Sequence, residues 1–111
     1  MVICMDETTK AKYEARAKII KAIAHPTRLY IVDELSRSEE KCVCELTEMI
    51  GADMSTVSKH LAILKEAGLV EDEKRRSMVF YRLRVKCVVD FLNCVQSVMK
   101  CNVREQSALL A

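Results

Sequence analysis

Six cysteines, at positions 4, 42, 44, 87, 94 and 101, are the residues of this 111-residue chain best suited to chemistry. A cysteine thiolate can ligate a soft metal, attack a disulfide or be oxidised, and which it does depends on its neighbours and compartment. An even count in a secreted mini-protein would suggest three disulfides. The segment Met1 to Glu7, however, carries no basic stretch, apolar core or small-residue cleavage site. No later apolar run approaches the ~18–20 residues needed to cross a bilayer. The expectation is a cytosolic protein, in which cysteines serve as small core hydrophobes, metal ligands or redox switches.

Cys87, Cys94 and Cys101 are spaced by sevens and share one face of a helix. Each step is about 10.5 Å along the axis at 1.5 Å per residue. A disulfide spans only ~4.4–6.8 Å between Cα atoms, so no two of the three can bridge within one helix. They are interface hydrophobes or meet their copies in a second subunit, as an intersubunit disulfide or a second soft-metal site. The chain has no Cys-x-x-Cys, no βαβ pattern and no nucleophile–base pair, so a thiol–disulfide enzyme is disfavoured and no catalytic residue is assigned.

The elements that must position these thiols follow from periodicity. Half of the residues are apolar, with two glycines and one proline, which is the composition of one helix-rich domain. Tyr13, Ala17, Ile20, Ile23 and Ala24 mark an amphipathic helix over 9–24, preceded by a flexible arm at 1–10. A second helix starts after Pro26, with Leu29, Val32 and Leu35 on one face. A short third helix covers 43–50, with Leu46, Met49 and Ile50 inward and Gly51 as its left-handed cap. Asp53 is the N-cap of a fourth helix, 54–67, with Val57, Leu61 and Leu64 inward. Residues 69–83 change period and read as a hairpin, 69–73 and 78–83, around the basic Lys74-Arg75-Arg76-Ser77. A last helix, 85–101, is apolar over so broad a stripe that it implies a partner surface, hence a homodimer.

This order, helix, helix, short helix, turn, helix, basic hairpin, is that of a winged helix-turn-helix. Charge is segregated to match. Residues 54–86 carry eight Lys/Arg against four Asp/Glu, whereas residues 1–53 carry eight against ten. Ser55, Thr56, Ser58, Lys59 and His60, at the start of the fourth helix, have the short donors and acceptors that approach base edges and phosphates in a major groove. Arg75 and Arg76 would reach the flanking backbone or minor groove of double-stranded operator DNA.

The chain resembles the ArsR/SmtB family of metal-responsive winged-helix repressors. The resemblance runs from Ala24 to Leu83 through A-H-P-T-R-L (24–29), C-V-C-E-L (42–46), S-T-V-S-K-H-L-A-I-L-K-E-A-G-L-V (55–70) and V-F-Y-R-L (79–83). It implies a mainly α fold with a small β-hairpin, a homodimer joined through the first and last helices, a recognition helix at 54–67 bearing Ser55 to His60, and a wing at 69–83. It also implies a repressor that leaves its operator when an inducer binds. The wing departs from the family pattern by lacking a glycine, having Arg75-Arg76-Ser77 instead.

The family's zinc site on the last helix uses an Asp-x-His and a His-x-x-Glu pair; here Asp90 is followed by Leu92, and the second pair is Val103 and Gln106. With only His25 and His60 elsewhere, read as structural or DNA-facing, any metal site must be sulfur-rich. Thiolates select ions such as Cd(II), Pb(II), As(III) or Cu(I), with Zn(II) as a competitor. Cys42 and Cys44 resemble the two cysteines of the family's arsenic- and cadmium-sensing box. Residues two apart on a regular helix point roughly 200° from one another, so both reach one ion only where the backbone departs from helix. The third cysteine of the arsenic-sensing version is replaced by Thr47, so a third sulfur must come from elsewhere. The resemblance to cadmium- and lead-sensing relatives, which usually supply two cysteines from the arm, makes Cys4, the one cysteine of this arm, the leading candidate. Three sulfurs favour As(III), accept Pb(II), and leave Cd(II) needing a fourth ligand. The alternative keeps the DNA module and makes disulfide formation the signal, a redox-sensing repressor.

Overall fold

The computed structural model describes residues 5–110, with side chains to residue 107. Asp6 caps the first helix, its carboxylate accepting from the Thr9 amide at 2.7 Å, so α1 begins at Glu7 and runs to Ile23. Residues 7–10, expected in a flexible arm over 1–10, are therefore helical, because the Asp6 cap starts α1 within that segment. Helix α2, Pro26–Arg37, opens with proline at a position where the missing N–H costs nothing, and His25 caps it through Nδ1. A two-residue strand β1, Lys41–Cys42, leads into α3, Val43–Ile50. Gly51, at φ 77°, closes α3 and turns the chain into α4, Met54–Glu66. Strands β2, Val70–Arg75, and β3, Met78–Leu83, precede α5, Val88–Leu110.

The sheet order is β1-β3-β2, antiparallel throughout. Arg75 pairs with Met78, so Arg76 and Ser77 alone make the wing turn. Arg76 takes the left-handed conformation, φ 58°, that glycine would otherwise supply. Strand β1, too short to read from periodicity, pairs Lys41 with Tyr81 and Cys42 with Phe80, and so fastens the start of α3 to the wing.

The core is made by Ile31, Val32 and Leu35 of α2, Leu46 of α3, Val57, Leu61 and Leu64 of α4, and Leu69, Val70, Leu83 and Val88, all buried. Each such side chain contributes about 1.5–3 kcal/mol on burial. The α4 stripe is as its spacing predicts. Leu29 and Met49, expected inward, are exposed: Ile31 takes the inward place on α2, and α3 is so short that Leu46 fills its contact with the core. The last helix starts at Val88 rather than Val85, after a turn in which the Val89 and Asp90 amides donate to the Lys86 and Cys87 carbonyls. Cys87 thus lies in that turn, and only Cys94 and Cys101 share a helix face.

Helices α1 and α5 both leave apolar surface open. Tyr13, Ile19 and Ile20 of α1 and Phe91, Val95, Val98, Met99 and Val103 of α5 are all exposed. Ile19, Ile20, Ile23, Val88 and Phe91 line an open cleft of about 410 Å³ between the two helices.

Candidate nucleic-acid interface and thiol site

Helix α4 presents its candidate residues because the opposite side is committed to the core. With Val57, Leu61 and Leu64 inward, Ser55, Thr56, Ser58 and Lys59 face outward and are exposed. Asp53 secures the helix start: its carboxylate accepts from the Thr56 amide at 3.3 Å and from the Ser55 hydroxyl at 3.2 Å. Hydrogen bonding from Thr56 first, then from Ser55, holds this carboxyl below its ordinary value. Ser55 is thus both a candidate DNA contact and part of the cap.

His60 is placed differently from its neighbours. It is half-buried, its ring 4.5 Å from that of His25, and Nδ1 accepts from Nη1 of Arg28 at 3.1 Å. Burial first, then the charges of His25 and Arg28, keep its pKa below that of free imidazole. Its ring is engaged with α2, whereas Ser55, Thr56, Ser58 and Lys59 are open to solvent. Arg28, which sequence reasoning quoted only as part of a motif, also donates from Nε to the Ala22 carbonyl at 2.6 Å, and so ties α1, α2 and α4 together.

On the wing the two candidate arginines differ. Arg75 pairs with Glu40 and, at 3.1 Å, with Glu73, and its guanidinium lies 4.2 Å over the Phe80 ring. Arg75 likewise pulls the Glu40 carboxyl below the usual range. Glu40 comes from the segment before β1, a partner that no local sequence signal marks. Arg76 stands exposed at the turn. Much of the basic charge nearby is locally balanced, Arg82 by Glu71 at 2.9 Å and Lys65 by Asp72 at 3.0 Å.

Cys42 and Cys44 are brought together, in fact joined as a disulfide, with Cα atoms 5.4 Å apart. The helical objection does not apply because Cys42 is the N-cap, in extended conformation at φ −80° and ψ 158°, and only Cys44 is helical. Buried Cys42 also accepts from the Glu45 amide through Sγ at 3.4 Å, while the Glu45 carboxylate accepts from the Cys42 amide at 3.2 Å, a reciprocal capping box. Cys44 is exposed. Beside the pair lies an open pocket of about 220 Å³, lined also by Met54 and Ser58 of α4 and by Ser77 and Met78 of the wing. Cys4 lies outside the described residues. Among the described residues no group of three or more His, Cys, Asp or Glu side chains is gathered to hold a metal ion. Cys87, Cys94 and Cys101 are free and exposed. No helix of the described residues is long and apolar enough to cross a membrane.

Comparison with known proteins agrees with this architecture. The profile of the family described as bacterial regulatory protein, arsR family, matches residues 25–72. The uncharacterised HTH-type transcriptional regulator MJ1325 of Methanocaldococcus jannaschii is 38% identical over 85 residues, 74% of this chain and 96% of that protein. The arsenical resistance operon repressor of Escherichia coli is 42% identical over 66 residues, 60% of this chain and 56% of the repressor, so the match spans about half of that protein. The homodimeric winged helix-turn-helix DNA-binding domain of Mb0332 from Mycobacterium bovis superposes with a TM-score of 0.77 at 27% identity, covering 94% of this chain and 95% of that domain. With its β2–β3 wing and its α3–turn–α4 unit, the chain belongs to the ArsR family of DNA-binding winged helix-turn-helix transcriptional regulators.

Proposed function

We propose that the protein is a homodimeric cytoplasmic repressor that holds operator DNA through Ser55, Thr56, Ser58, Lys59 and His60 of α4 and through Arg75 and Arg76 of the wing. A thiophilic ion captured by Cys42 and Cys44 releases it, with As(III) favoured over Cd(II) and Pb(II) and with Cys4 as a further sulfur. The observation that carries this reading is the position of the thiol pair, in one pocket with the first turn of α4 and the tip of the wing. Any ion bound there acts directly on both candidate DNA-contacting elements. The coupling needed for release is about 1–3 kcal/mol, ordinary for allosteric linkage. The match to an arsenical resistance repressor supports the inducer class. The exposed apolar faces of α1 and α5, and the homodimeric state of the Mb0332 domain, support the dimer.

The redox reading has its own support in the Cys42–Cys44 disulfide. One experiment separates the two. As(III), Cd(II), Pb(II), Zn(II) and, separately, a disulfide oxidant are titrated into the reduced protein bound to its own promoter DNA, and release is followed by fluorescence anisotropy. Release by As(III) at stoichiometric concentration is expected. Release by oxidant alone would replace the metal reading with the redox one.

A further inference from the structure

The geometry points to a phosphate site on the flank of α4 opposite the wing: His25 and Arg28, at the start of α2, join His60 to hold one backbone phosphate of the bound operator. This deepens the proposed function and rests on it for the entry of α4 into the major groove. Ser58 and His60 lie two residues apart, and so ~200° around the helix. Ser58 shares a pocket with the thiol pair and the wing tip. His60 faces α2 instead, its ring 4.5 Å from that of His25. A helix in a major groove has a sugar-phosphate wall on either side. The wing brings its arginines to one wall, and the start of α2 brings the counterpart to the other.

The cluster consists of donors with fixed roles. A guanidinium only donates, so the bond from Arg28 Nη1 to His60 at 3.1 Å makes Nδ1 of that ring the acceptor. Nδ1 of His25 likewise accepts from the Thr27 amide at 3.1 Å. Both neutral rings therefore carry their hydrogen on Nε2. Arg28 is held a second time, through Nε to the Ala22 carbonyl at 2.6 Å, and keeps the hydrogens of Nη2 for a further acceptor. Arg37, Lys65, Arg75 and Arg82 are each matched by a carboxylate, but among the described residues none forms an ion pair with Arg28. Burial first, then the charges of His25 and Arg28, lower the His60 pKa, and no carboxylate of the described residues works against them. All three side chains are half-buried rather than sealed in the core. Two N–H donors and a permanent cation thus stand together without an anion. A phosphodiester, with one negative charge and acceptor oxygens only, matches that set, and a guanidinium already oriented loses little freedom in meeting it.

The test uses the full chain and its own promoter DNA, with affinity read by fluorescence anisotropy. Operators carrying a single neutral methylphosphonate are scanned along both strands against the wild-type protein. Sensitive phosphates are expected on both walls of the groove that α4 enters. Arg28→Met, which keeps an aliphatic stem, should bind about tenfold more weakly at low salt and lower the dependence of log K on log salt by about 0.9, the share of one phosphate. At one position on the wall away from the wing, methylphosphonate should weaken the wild type about tenfold and leave this variant unaffected. His25→Ser, whose hydroxyl retains the α2 cap, should show a smaller loss at the same position. A purely structural Arg28 would lower the folded fraction without changing the salt slope or singling out a phosphate, and that result would overturn the assignment. So would sensitive phosphates on the wing side alone, a result that needs no variant to fold. Failure of the underlying reading looks different: Thr56→Ala/Lys59→Ala protein with wild-type affinity would take α4 itself off the DNA.

Discussion

Arg28 donates to Nδ1 of His60 at 3.1 Å, a bond across 32 residues that fixes the middle of α4 against the start of α2. A neutral His60 is required for it, since a protonated Nδ1 would have a hydrogen facing the guanidinium. The His60 pKa is lowered in the fold by burial first and then by His25 and Arg28. The unfolded chain therefore binds this proton more readily, and the stability from neutral His60 is complete above the ordinary imidazole value of about 6.5. It is lost as pH falls through the lowered value.

From this pairing, thermal stability and operator affinity should both decline as pH is lowered from about 6.5 toward 5, and His60→Gln should flatten that part of the profile. Melting curves across this range check it. A wild-type profile unchanged by the substitution would show that the proton acts elsewhere. Arg28→Ala should cost about 1–3 kcal/mol through loss of its hydrogen bonds to Ala22 and His60.

Cys42 and Cys44 should separate under substitution. Cys44→Ser, at an exposed position, should leave stability and operator binding unchanged and abolish release by inducer. Cys42→Ser should also abolish release while retaining the α3 cap, because a serine hydroxyl accepts from the Glu45 amide as the sulfur does. Cys42→Ala should cost in addition about 1 kcal/mol of stability. Loss of operator binding by the unliganded serine variants would make the pair structural instead.

At the wing, Arg76→Ala should lower the dependence of log K on log salt by about 0.9 if one phosphate contact is lost. Arg76→Gly should do the same while stabilising the free protein by about 1 kcal/mol, since glycine meets no steric penalty at φ 58°. Arg75→Ala should act differently. It leaves Glu40 uncompensated and Glu73 with only its 3.6 Å pair to Arg82, both close to the candidate DNA face, so affinity should fall more than for Arg76→Ala. Identical salt slopes for wild type and Arg76→Ala would take the turn off the contact surface.

The apolar faces of α1 and α5 predict the assembly. Val98→Glu, at a position 58% exposed in one chain, should leave the fold intact and shift light-scattering mass from dimer to monomer. Operator affinity should drop with it, because two half-sites are then no longer bound together. A monomeric wild type at micromolar concentration would contradict the dimer.

What the amino-acid sequence determined by itself is what local physics controls. The α4 stripe of Val57, Leu61 and Leu64, the Asp53 cap, the Gly51 turn and the basic hairpin were legible because capping, periodicity and turn chemistry act over a few residues. So was the family, since its motifs fall in register from Ala24 to Leu83. The tertiary structure decided what depends on contacts between distant segments. Glu40 meets Arg75 across 35 residues, and Arg28 meets His60 across 32. Pairing of β1 with β3 holds Cys42 in extended backbone just ahead of α3, which makes its sulfur a neighbour of that of helical Cys44. The same folding brings Met54 and Met78 to one pocket, and no spacing in the chain encodes that meeting. Local rules place side chains on faces, but only the packing of α3, α4 and the wing sets which faces converge.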